Sequence, residues 1–161
     1  MELLKMYHSV QKQIPEEHFI LLDYDLYFDE IRGCCKGFVI DDPEALEQVK
    51  LFVSRLKNKI SDIIVYVCAY GGSITNAKGE EILYADGFYL YTKTDLSFIS
   101  DLFEDSNLRE IEPSAIFPLS DAQEDYFQEK IFLFKTTGDI VDLREEVDEI
   151  FMKDMKCIYW D

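Results

Sequence analysis

The chain has 161 residues, a length that suits one domain built on one hydrophobic core. Its 33 Asp and Glu against 16 Lys and Arg leave a formal charge of −17 at pH 7, which repels phosphate backbones and anionic membrane surfaces and attracts basic macromolecules. Direct nucleic-acid binding and a membrane-surface role are set aside on that ground; so is a disordered acidic tail, because the sequence is 48% hydrophobic with 12 Phe and 10 Tyr. Acidity also serves solubility, so charge alone does not name a function.

Four cysteines, Cys34, Cys35, Cys68 and Cys157, include no pair at Cys-x-x-Cys spacing. Adjacent cysteines such as Cys34 and Cys35 rarely bond each other, and Cys68 lies in an apolar run, so free thiols in a reducing compartment are expected. The stretch Met1 to Lys5 has neither a basic segment nor an apolar run of signal type, and no stretch reaches membrane-spanning length. The expected location is the cytoplasm.

In chain order, Leu3, Tyr7, Val10 and Ile14 form one helical stripe that Pro15 stops. From Phe19 to Phe28 the pattern alternates, with Leu22, Tyr24, Leu26 and Phe28 on one side and Asp23, Asp25, Tyr27 and Asp29 on the other. That spacing predicts one half-buried strand, hairpinned through Arg32-Gly33 to a second strand at 34–40. Asp42 followed by Pro43 opens a helix over 43–59, with Leu46, Val49, Val53, Leu56 and Ile60 on its apolar stripe and Lys50, Arg55, Lys57 and Lys59 loading its C-terminal half. Ile63 to Tyr70 is apolar on both faces and reads as a central strand.

Asp86-Gly87 separates Ile82–Ala85 from Phe88–Tyr91 and predicts a type I′ hairpin with Tyr84 facing Tyr89. Thr94 or Asp95 caps a helix with Leu96, Ile99 and Phe103 inward, and Pro113 and Pro118 confine the next segment to loop or edge strand. Ser120 with Gln123 resembles a capping box ahead of a strand at 131–134, and Thr137-Gly138-Asp139 turns the chain. Asp142 with Glu145 opens a last helix over 143–155, and Ile158 to Trp160 docks as a terminal strand. The expected fold is α+β over residues 1–161, a single domain with a mostly antiparallel sheet of about five to six strands packed by three to four helices. A parallel strand, helix, strand unit over 34–70 is the topological alternative.

Chemical motifs are sparse. His8 and His18 lack ligand-spaced partners, so no metal is assigned. Gly71-Gly72-Ser73 and Ala77-Lys78-Gly79 do not make a phosphate loop, and they read as turns requiring positive φ. Ser73 lacks a nucleophile elbow and no cysteine sits in a nucleophile motif; no catalytic residue and no cofactor are assigned.

The acidic surface is the remaining signal. Asp23, Asp25 and Asp29 with Glu30 form one exposed row, and Asp101, Glu104 and Asp105 form a second group near a helix end, where negative charge opposes the macrodipole. Glu145, Glu146, Asp148 and Glu149 form a third, explained by its place at a helix start. Tyr27 beside the first row adds a ring for stacking on Arg or Lys. The expected function is a small acidic binding protein, of immunity or inhibitor type, that sequesters a basic, nuclease-like toxin; an acidic mimic of nucleic acid is a close variant. The alternatives are a metal-assisted hydrolase or transferase using Asp23 and Asp25, and an adaptor that binds through a Tyr-rich hairpin around Tyr84, Tyr89 and Tyr91.

Overall fold

A computed structural model describes residues 3–13, 19–28, 36–40, 42–69, 73–118, 131–146 and 155–160. The longest helix begins where the sequence places it. The Asp42 carboxylate accepts a 3.1 Å hydrogen bond from the Ala45 amide, and Pro43 fills the first helical position, where a missing N–H costs nothing. In chain order the elements are α1 (Leu3–Gln13), β1 (Phe19–Asp23), α2 (Tyr24–Phe28), β2 (Lys36–Phe38) and α3 (Pro43–Lys59). Then come β3 (Ile64–Cys68), β4 (Ser73–Thr75), β5 (Glu81–Ala85), β6 (Gly87–Tyr91) and α4 (Ile99–Leu102). A single 3-10 turn at Arg109–Ile111 precedes β7 (Ala115–Pro118), β8 (Ile131–Phe134), β9 (Ile140–Asp142), α5 (Leu143–Glu146) and β10 (Lys156–Tyr159).

The fold is α+β. A seven-stranded, mostly antiparallel mixed sheet runs β7-β10-β6-β3-β1-β8-β9, and a second sheet of three strands runs β2-β5-β4. Among the described residues only the β1 and β8 pair is parallel in the main sheet. β3 sits at its centre, as its two-sided apolar run implies. The main sheet is buried on both faces: Ile20, Leu22, Val65, Val67, Phe88, Leu90 and Ile158 face a core shared with α1, α2, α3 and the second sheet. Leu21, Tyr66, Cys68, Tyr89 and Cys157 face a smaller cluster with Leu143 and Met155.

Several local expectations are corrected. The alternating run from Phe19 is not one strand, because β1 ends at Asp23 and residues 24–28 turn into α2, burying Leu26 and Tyr27. β2 does not hairpin with β1; it pairs in parallel with β5 in the second sheet, which also removes the parallel strand, helix, strand unit. The Asp86-Gly87 step is not a hairpin. There the chain leaves the second sheet as β5 and enters the main sheet as β6, and Gly87 has no positive φ. Glycine is required for another reason: a Cβ at Gly87 would stand 2.5 Å from the carbonyl oxygen of Ile158 on β10.

The hairpin of this region joins β4 to β5. Its turn holds Gly79 at φ 78°, and the Asn76 side chain accepts from the Lys78 and Glu80 amides. Gly138, at φ 91°, closes the β8–β9 hairpin as the Thr137-Gly138-Asp139 triplet predicts. The helix expected after Thr94 is shorter, with α4 starting at Ile99, while Leu96, Ile99 and Phe103 are all buried as expected. β10 docks between β6 and β7, and Trp160 is buried with its indole N–H donating to the Ile111 carbonyl at 2.8 Å. The capping box at Ser120 and Gln123 and most of the last helix lie outside the described residues. No helix among the described residues is long and apolar enough to cross a membrane.

Candidate acidic binding surface

The spacing of α3 decides how the acidic residues are displayed. Val49, Phe52, Val53 and Leu56 are buried, and Phe52 meets Phe103 of the following segment with ring centroids 4.9 Å apart. That segment, with Ile99, Phe103, Leu108 and Ile111 inward, lies along one flank of α3, and α2 lies along the other. The outer stripe, Glu44, Glu47, Leu51, Ser54 and Asn58, is exposed to solvent and recurs at the three- and four-residue spacing of one helix face.

On the first flank Asp105 accepts a 2.8 Å bond from Arg55 Nη1, and its other oxygen accepts from the Asn107 amide at 2.9 Å. The Asn107 amide and the Arg55 guanidinium hold its carboxyl below the ordinary carboxylate value. Glu110 accepts from the Gln48 side chain at 3.3 Å, and the buried Gln48 Oε1 has no hydrogen-bond partner among the described residues. Asp101, Glu104 and Glu112 are exposed on the same segment. Because α4 has four residues, these carboxylates oppose little helix dipole, so the macrodipole penalty inferred from the sequence is not large.

On the second flank Asp25, 74% exposed, lies 3.8 Å from Lys57 Nζ, which also sits 5.0 Å from the centre of the Tyr24 ring. Burial, then the carboxylates of Asp25 and Glu47, push the Tyr24 phenol up to about 12. Asp25 and the 101–105 group, separate in the sequence, are therefore brought to the two sides of one helix, a body about 10–12 Å across.

The other expected site residues fall elsewhere. Asp23 accepts from the Thr136 amide at 2.9 Å and so caps the β8–β9 turn, while Asp25 points to α3; the two carboxylates do not converge. No group of three His, Cys, Asp or Glu among the described residues is placed to hold a metal ion. Tyr27 is fully buried, with its hydroxyl donating to the Leu83 carbonyl at 3.0 Å, because α2 turns it away from the face an unbroken strand would have given it. Asp29 and Glu30 lie outside the described residues. Of the Tyr-rich run, Tyr89 is buried and Tyr84 and Tyr91 are half-buried on strands of different sheets, so the expected hairpin surface does not form. His8 is exposed and pairs with Glu81 at 2.8 Å, tying α1 to β5.

No protein-family model, curated protein or solved structure matches this chain. Sequence reasoning passed over Glu44, Glu47, Leu51, Glu110 and Glu112. The signal was present in α3 itself: the stripe opposite its buried residues carries a leucine among polar positions, 38% exposed.

Proposed function

We propose that residues 1–161 form one α+β domain acting in the cytoplasm as a small acidic binding protein. It sequesters a basic protein partner, in the manner of an immunity or inhibitor protein against a nuclease-like toxin. The observation that carries this reading is the grouping of exposed carboxylates, Asp25 on one side of α3 and Asp101, Glu104, Asp105, Glu110 and Glu112 on the other, on a chain of net charge −17. Such a field speeds encounter with a cationic surface and disfavours anionic competitors. The buried Ile99, Phe103, Leu108 and Ile111 anchor the backbone that carries the 101–112 carboxylates, so that segment need not fold on binding, which limits the entropic cost.

The test is titration calorimetry against a panel of basic nucleases over a salt series, together with inhibition of their activity. Binding that weakens with salt, and is lost in an Asp25→Lys, Asp101→Lys, Glu104→Lys variant that still folds, supports the reading. Absence of binding to any basic nuclease at low salt removes the nuclease assignment, and indifference of binding to the triple variant removes the surface.

A further inference from the structure

Among the described residues four strands stand at the edges of the two sheets, and they are not alike. β7 ends in Pro118, β9 ends in Asp142 and β2 begins with Lys36; proline and charge are the usual means by which an edge is kept from pairing with another chain. β4, Ser73-Ile74-Thr75, carries neither. Its backbone is also open. The Asn76 amide donates to the Glu80 carbonyl at 2.8 Å, and hydrogen-bonded pairs alternate along an antiparallel ladder, so Ile74 bonds to Ile82 while Ser73 and Thr75 turn their N–H and C=O groups outward. No hydrogen bond is made to that side of β4 among the described residues. On the outer face of this sheet Ile74 is 42% exposed beside the half-buried Ile82. Glu80 lies on the same face, two residues and roughly 7 Å along the strand from Ile82, and its exposed carboxylate has no partner among the described residues.

We propose that β4 is a strand-addition edge, and that its occupant is an extended segment of a partner protein in which an apolar side chain is followed two positions on by Arg or Lys. Ser73 and Thr75 supply the main-chain hydrogen bonds, the apolar side chain packs on Ile74 and Ile82, and the cation, on the same face one pleat further, reaches Glu80. The main-chain pairing stands on the geometry of β4; the cation rests on the acidic-binder reading and gives that partner a shape. A second copy of this chain fits the edge less well. Two bodies of net charge −17 repel each other, and pairing of two three-residue edges falls well short of the roughly 1,000 Å² that a stable dimer needs. A cationic segment meets attraction instead.

The experiment titrates a blocked synthetic peptide, Thr-Val-Thr-Arg-Thr, into the isotopically labelled full chain, with amide exchange and chemical shifts as the readout. Two further versions of the peptide are N-methylated on alternate sets of amides, so that only one of them blocks the edge facing β4. Exchange at Ser73 and Thr75 should slow, and one methylated version should bind on the order of tenfold more weakly while the other binds like the parent. Ile74→Lys, at an exposed position, should weaken the peptide by a similar factor with an unchanged circular dichroism spectrum. Amides of Ser73 and Thr75 that do not respond, or two methylated versions that both bind like the parent, overturn the strand-addition edge. So does a dimer of the protein alone in ultracentrifugation that Ile74→Lys abolishes, which assigns β4 to a second copy. Replacing the peptide's Arg by Gln, and Glu80→Gln in the protein, should each weaken binding severalfold. If neither matters while Ser73 and Thr75 still respond, the cationic occupant falls and the edge stands; if the edge is silent while basic nucleases bind in a salt-dependent way, the acidic-binder reading stands alone.

Discussion

The hydroxyl of Tyr27 donates a 3.0 Å hydrogen bond to the carbonyl of Leu83, and this contact, between residues 56 apart in sequence, fastens α2 to the second sheet. The ring itself packs edge-on against Phe28 and Phe38, with centroids 5.2 and 6.4 Å away. Tyr27→Phe keeps those ring contacts and deletes the donor. A loss of about 1 kcal/mol is expected in urea unfolding, since a buried carbonyl loses a partner. Affinity for a basic partner should not change, because Tyr27 contributes no exposed surface. A Tyr27→Phe protein of unaltered stability that bound its partner less well would contradict a purely structural role for the hydroxyl.

Gly87→Ala tests the passage between the sheets. The added methyl carbon meets a backbone oxygen of β10 at 2.5 Å, and neither strand is free to move, because β6 is paired on both sides. Overpacking of this kind costs on the order of 1–3 kcal/mol. A thermal melt should show a clear fall in Tm, whereas a variant as stable as the parent would mean that β6 and β10 lie further apart.

Burial pushes the Cys157 thiol up to about 12, against a small opposing effect of its hydrogen bond with Tyr89. At pH 8 the group is a neutral, enclosed thiol and should resist iodoacetamide until the chain is unfolded. The same shift has a stability sign. Cys157, with an ordinary value of 9.0, and Tyr24, with 10.0, both hold their protons more tightly when folded, so their contribution is complete below those values and fades as pH rises towards 12. Mass-spectrometric mapping of labelled thiols, and urea midpoints between pH 8 and about 11, check the two statements. Rapid modification of Cys157 in the native protein would refute the first.

At the acid end three exposed carboxylates carry the opposite sign. Asp62 is held low by the Thr92 hydroxyl and the Lys93 amide, Asp95 by the Ser97 amide and hydroxyl, and Asp105 by the Asn107 amide and Arg55. Their stabilising contributions are present above the ordinary value of 3.8 and are lost as pH falls through the lowered values of the folded protein. Tm should hold steady as pH falls towards that value and drop below it. Asp105→Asn should make the drop shallower; an equal or steeper drop in the variant would show that Asp105 is not depressed.

Elements whose signals are local were legible in the residues alone. α3 could be read to its ends because Asp42, Pro43 and a 3.6-residue apolar period all act within a few residues of one another. The turns at Gly79 and Gly138 were legible because positive φ is a property of single residues, and β3 because a strand apolar on both faces has to be central. The excess of carboxylates needed only counting.

Which strands share a sheet, and which acids share a surface, came from contacts between distant segments. Alternation from Phe19 to Phe28 suits a strand, yet α2 turns there and places both Leu26 and Tyr27 in the core. Asp86-Gly87 carries a hairpin signal, but β5 finds its partners in β2 and β4, and β6 finds its partners in β3 and β10. The turn into α2 also separates Asp23 from Asp25 and sets Asp25 across α3 from Asp105. Pairing and register are settled by residues far apart in sequence, and a slip of one residue reverses every face, so periodicity cannot report them.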